Sequence, residues 1–160
     1  MSTALPTLDR STGYPLTPRS VPLARMHTRR RLTFWQWTGD IDDAVLVVSE
    51  LAANAVTHGR VAGHEMWVRL AVTEDGGLLV DVSDPSPVLP VREGRGLVVV
   101  RQLALEVEWF LRNGVGKTVR ARLAGAMGGA PGNSERGAGQ MGHPGQSGES
   151  EEGAWVRPRS

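Results

Sequence analysis

Between residues 41 and 55, the apolar residues Ile41, Ala44, Val45, Val48, Leu51, Ala52 and Ala55 recur at three- and four-residue spacing. That period predicts an amphipathic helix running to about His58, with Asp40 as its N-cap. Such a stripe needs a cover, and the chain downstream supplies one by changing period. Met66, Val68, Leu70 and Val72 alternate along Glu65–Val72, Asp75-Gly76-Gly77 marks a turn, and Leu78–Val82 returns as the second strand of a hairpin. A second hairpin pairs Val107–Leu111 with Lys117–Leu123 through Asn113-Gly114-Val115-Gly116. Between the hairpins, Gly96–Leu105 reads as a short apolar helix.

Upstream, Ser20 offers an N-cap and Pro22 an early-turn proline for a helix over Pro22–Trp37 that Gly39 ends. Its inward residues are expected to be Leu23, Met26, Leu32 and Trp35, with Arg29-Arg30-Arg31 outward. The order helix, helix, hairpin, helix, hairpin predicts an α/β (α+β) two-layer sandwich, a mostly antiparallel sheet with helices packed on one face. Residues 1–11 read as a flexible arm, 12–124 as the folded domain, and 125–160 as a Gly-rich disordered tail too poor in apolar residues to offset chain entropy. One edge strand near Tyr14–Leu16 is expected. Trp155 beside Arg157 and Arg159 reads either as a short docking motif or as a stray aromatic.

Composition narrows the function classes. Cysteine is absent, which excludes disulfides, thiolate metal sites and a cysteine nucleophile. A net charge of +1 gives no global field for nucleic acid or an acidic membrane. Arg29-Arg30-Arg31 has no second basic stripe or aromatic platform beside it, so a solvated helix face accounts for it. No apolar run approaches membrane-spanning length and no secretory leader is evident, so a cytoplasmic location is expected.

Three motifs can carry chemistry, and a fourth only imitates one. Glu50 and Asn54 lie one turn apart on the 41–58 helix, where two side chains can share a target. A carboxylate that handles a proton beside an amide oxygen that suits a hard cation fits Mg-nucleotide chemistry, though the same spacing also occurs as an ordinary surface pair. Asp84 sits where a strand enters a loop. It either accepts from an exocyclic amine such as that of adenine or makes an Asx turn before Pro85. Gly94 and Gly96 open the third helix, either for phosphate approach or for backbone freedom. Gly116-Lys117-Thr118 imitates the end of a P-loop, but Leu111 stands where that motif needs glycine and the following residues alternate as a strand.

Taken together, Ser49-Glu50-x-x-x-Asn54-x-x-x-His58-Gly59, Asp84, Gly94-x-Gly96-Leu97 and Gly116-Lys117-Thr118 resemble the GHKL (Bergerat) ATP-binding fold. Within it, "VVSELAANAVTHG", "SDPSP" and "GRGL" are similar to bacterial anti-sigma factor serine/threonine kinases of partner-switching systems. The resemblance implies ATP and Mg2+ as cofactors, with Glu50 as general base, Asn54 as Mg ligand and Asp84 as reader of the adenine amine. It further implies Gly94 and Gly96 as phosphate-closing glycines, and Thr118 with Lys117 as the strand bordering the nucleotide. The implied partners are a sigma factor and its antagonist, and a homodimer formed through the sheet is compatible with it. Two departures stand out. Pro85-Ser86-Pro87-Val88 replaces the glycines that follow the family's aspartate, and only 12 positions separate Asp84 from Gly96, leaving a short lid. Both favour nucleotide binding over efficient transfer, and they support the alternative of a non-catalytic interaction module.

Overall fold

The computed structural model describes residues 6–88, 95–113 and 115–126. In chain order the elements are β1 (Pro6–Pro15), α1 (Ser20–Phe34), α2 (Ile41–His58), β2 (Glu65–Thr73), β3 (Leu78–Asp84), α3 (Arg95–Leu103), β4 (Glu106–Leu111) and β5 (Lys117–Leu123). The strands form one five-stranded sheet in the order β1-β2-β3-β5-β4, with every pairing antiparallel. Met66, Val68, Leu70, Val80, Val82 and Ala121 pack under Ala44, Val47, Val48, Leu51 and Ala55 in one buried core. The two-layer α+β sandwich expected from the sequence is the observed one.

Helix α2 is central to this packing. Asp40 caps it, its carboxylate accepting from the Asp43 N–H at 3.0 Å, and Asp42 and Asp43 place negative charge at the positive end of the helix dipole. Apart from half-buried Ile41, the apolar stripe is buried as the spacing predicts, widened by Val47. Gly59 closes the helix, its N–H donating to the Ala55 carbonyl at 2.9 Å.

Helix α1 departs from expectation at both ends and on its face. Ser20 is the first helical residue rather than the cap, and its buried hydroxyl donates to the Pro15 carbonyl at 2.6 Å. The inward residues are Ser20, Ala24, Thr28 and Leu32, whereas Leu23 and Met26 are exposed. Close approach of α1 to its neighbours selects small side chains, and the larger apolar ones are left outside. The helix ends at Phe34 because Gln36 turns left-handed (φ 54°), which lets the Trp37 N–H reach the Leu32 carbonyl at 3.0 Å. Trp37 is then buried, its indole N–H donating to the Gly76 carbonyl at 2.9 Å and tying the end of α1 to the β2–β3 turn.

Strand β1 is longer than expected. Residues 6–11, read from sequence as part of a flexible arm, pair with β2 together with the rest of the strand. The pairing is reinforced on the helix-free face of the sheet, where charges alternate across strands. Arg69 holds Asp9 (2.6 Å) and Asp81 (3.2 Å), and Arg120 holds Asp81 at 2.7 Å. The expected tail falls almost entirely outside the described residues, as does Trp155.

Candidate functional site

The site forms where the C-terminal end of α2 meets the last residue of β3 and the first of β5. In that register Asp84 lies opposite Lys117, side chains on the helix-facing side of the sheet. Both are buried, and the Lys117 ammonium donates to Asp84 Oδ1 at 2.9 Å and to the Ser86 carbonyl at 3.1 Å. The Ser86 N–H also donates to Asp84 Oδ1 at 2.9 Å, so the Asx turn weighed from sequence is present. Burial pushes the Asp84 carboxyl above its ordinary value, opposed by Lys117, the Ser86 N–H and the charge of Arg112. Among the described residues, Oδ2 of Asp84 accepts no hydrogen bond.

Two glycines make this closeness possible. A Cβ at Gly59 would overlap the Asp84 carboxylate, so the end of α2 rests directly on that acid. Gly116 has φ +76°, and a Cβ there would run into the backbone of Asp84 and Pro85. Asn54 precedes Gly59 by five residues, about 7.5 Å along the helix axis. Glu50 lies one turn further back. Both are part-exposed, and neither forms a hydrogen bond or ion pair among the described residues.

Asp84 and Lys117 thus meet beside the C-terminal end of α2, while Asn54 and Glu50 lie further back along the same helix. Thr118 does not join them. Strand alternation turns it to the opposite face of the sheet, where its hydroxyl meets that of Ser83 at 2.7 Å. The Lys117 and Thr118 side chains, expected together, therefore lie on opposite faces of the sheet, with Lys117 on the Asp84 side. Gly96 lies in the first turn of α3, and Gly94 falls outside the described residues. The strand conformation of Lys117–Leu123 also agrees with rejection of the P-loop. Sequence reading missed the structural parts of the site: Gly59 against the acid, Ser86 bonded to it and Arg112 near it. The juxtaposition of Gly59 with His58 in the helix-end motif was the available signal for the first.

The model of the histidine kinase-like ATPase domain matches residues 14–123, which spans α1, α2, α3 and all but the start of the sheet. The chain belongs to that family. Within the histidine kinase-like ATPase domain, α2 carries the Glu50/Asn54 pair and β3 ends in the buried acid. A crystal structure of the RsbU and RsbW domains of Rv1364c from Mycobacterium tuberculosis shares the fold, with a TM-score of 0.59 and 23% identity. The match covers 74% of this chain and 33% of that one, so the present chain spans about a third of its neighbour's length. No curated protein matches this histidine kinase-like ATPase domain. No described helix is long and apolar enough to cross a membrane.

Proposed function

We propose that the chain is a cytoplasmic ATP-binding regulator of the anti-sigma factor serine/threonine kinase type, which binds a sigma factor and phosphorylates a Ser of its antagonist. The observation that carries this reading is the unpartnered Glu50/Asn54 pair on the helix whose end rests on Asp84. These residues fit Mg-ATP. Asn54 offers a neutral oxygen suited to a hard cation, and Glu50 offers an acceptor for a hydroxyl proton. Asp84 keeps one carboxylate oxygen for an exocyclic amine. Bound Mg-ATP would supply the phosphoryl group, and the protein would contribute positioning and removal of the serine proton. Family membership and a structural neighbour that holds an RsbW domain support this reading. Self-association through the helix-free face of the sheet belongs to the same proposal.

One observation favours a second reading. Lys117 already holds Asp84 Oδ1, so an incoming amine meets an acid whose charge is largely satisfied. In that reading the fold survives as a non-catalytic interaction module. Calorimetric titration of Mg-ATP separates the two. The kinase reading expects saturable binding by the natural chain, lost in Asp84→Asn and weakened about tenfold in Asn54→Ala. It also expects ³²P transfer to the antagonist that Glu50→Gln abolishes. Binding that appears only in Lys117→Thr would instead establish the second reading, with the lysine as the block.

A further inference from the structure

A second cavity lies away from that site, between β1, α1 and β2. It encloses about 570 Å³, within the range of small-molecule sites, and shares no lining residue with the Asp84 site. Three guanidinium groups line it: Arg10 from β1, and Arg30 and Arg31 from α1. No carboxylate lines it among the described residues. Arg29, the first member of the arginine run, turns away to pair with Asp42 at 2.8 Å, whereas Arg10 and Arg30 form no ion pair among the described residues. The run Arg29-Arg30-Arg31 is thus divided between solvent and cavity.

Further polar side chains line the cavity beside them. The Tyr14 hydroxyl lies 2.7 Å from His27 Nδ1, with the rings stacked at 5.7 Å. Thr12 bonds to the same phenol, and burial holds that phenol protonated to a higher pH than usual. The Tyr14–His27 hydrogen bond runs in either direction according to the imidazole tautomer, and it fixes the His27 ring against the phenol. The remaining wall is apolar and partly aromatic. Val68 and Leu70 line it from β2, and Phe34, 77% exposed, stands at its edge under the Arg31 guanidinium at 5.8 Å. An exposed aromatic held flat by an arginine is a stacking surface.

We propose that this cavity binds a small organic phosphate, a dianionic headgroup carried on a flat apolar body. Three unneutralised guanidiniums match the charge and the several oxygens of a phosphate monoester, where a lone carboxylate would satisfy one fork. The Val68/Leu70 wall and Phe34 would take the apolar body. This proposal is independent of the nucleotide reading.

The test is calorimetric titration of 1-naphthyl phosphate into the full chain, with 1-naphthol and 1-naphthoate as comparisons. The expected result is saturable binding of the phosphate, weakened about tenfold by Arg10→Ala and by Arg30→Ala, with both comparison compounds weaker than the phosphate. Arg10 and Arg30 are exposed, so these variants should unfold at the same denaturant concentration as the natural chain. No saturation by about 5 mM would overturn the proposal, since an affinity that weak carries almost no specific recognition. Equal binding of naphthol would reduce the cavity to an apolar cleft. Equal binding of naphthoate would sink the phosphate class, and binding indifferent to the Arg10→Ala/Arg30→Ala double variant would place the probe elsewhere.

Discussion

Lys117 is the residue that divides the two proposed readings of the site. Its ammonium and the Asp84 carboxylate are both withdrawn from water and bonded to each other, so each compensates the desolvation of its partner. Removing one leaves the other stranded. Lys117→Met should therefore cost about 3 kcal/mol in urea unfolding, and adding Asp84→Asn should restore most of that loss. Equal destabilisation by the single and double variants would mean that Lys117 contributes through its aliphatic stem. The pairing had no local trace in the sequence. Asp84 and Lys117 stand 33 positions apart and meet only through the β3–β5 register. Glu50 and Asn54, by contrast, were legible because a helix repeats every 3.6 residues and fixes both on one face without outside help. Thr118 was grouped with Lys117 for the complementary reason. A motif read as a block ignored the two-residue period that sends its neighbours to opposite faces.

At the scale of elements, legibility followed how strongly one period dominated. Helix α2 and the two hairpins carry clean apolar patterns, and their boundaries were found to within about two residues. In α1 the buried positions are Ser20, Ala24 and Thr28, small residues that a hydrophobicity pattern passes over, and the exposed Leu23 and Met26 drew attention to the wrong face. Strand β1 hid behind Pro6, Gly13 and Pro15, residues tolerated at an edge that pairs on one side only. The β2–β3 turn offers a test at this scale. Asp75 accepts from the Thr73 hydroxyl and, at 3.0 Å, from the Gly77 N–H, and the Thr73 contact most of all holds its carboxyl below the usual value. Its stabilising contribution is present above the ordinary carboxylate pKa of 3.8 and is lost as pH falls through the lower folded value. Asp75→Asn should remove that part of the acid-side decline in stability, measured by urea midpoints at stepped pH. An unchanged acid limb would mean that the bonds of the turn persist in the unfolded chain.

For the whole molecule, the sheet extends the folded unit beyond the boundary that composition indicates. A chain beginning at residue 12 would lack the Asp9–Arg69 ion pair and the β1 pairings before it. It should unfold about 1–2 kcal/mol more easily than a chain beginning at residue 6. Equal midpoints for the two would show that residues 6–11 add pairing without stability.

The strand order has a further consequence, in time rather than in space. Because β5 inserts between β3 and β4, the acid at the end of β3 gains its cation only after the last strand has docked. A growing chain can close the β2–β3 hairpin early, since its partners are near in sequence, whereas β3–β5 pairing waits for a loop closure across α3 and β4. The Asp84–Lys117 pair is then a late product of folding, formed once β5 is free of the ribosome. A chain stalled before β5 would hold the α2 residues Glu50 and Asn54 yet leave the buried acid of β3 without its cation.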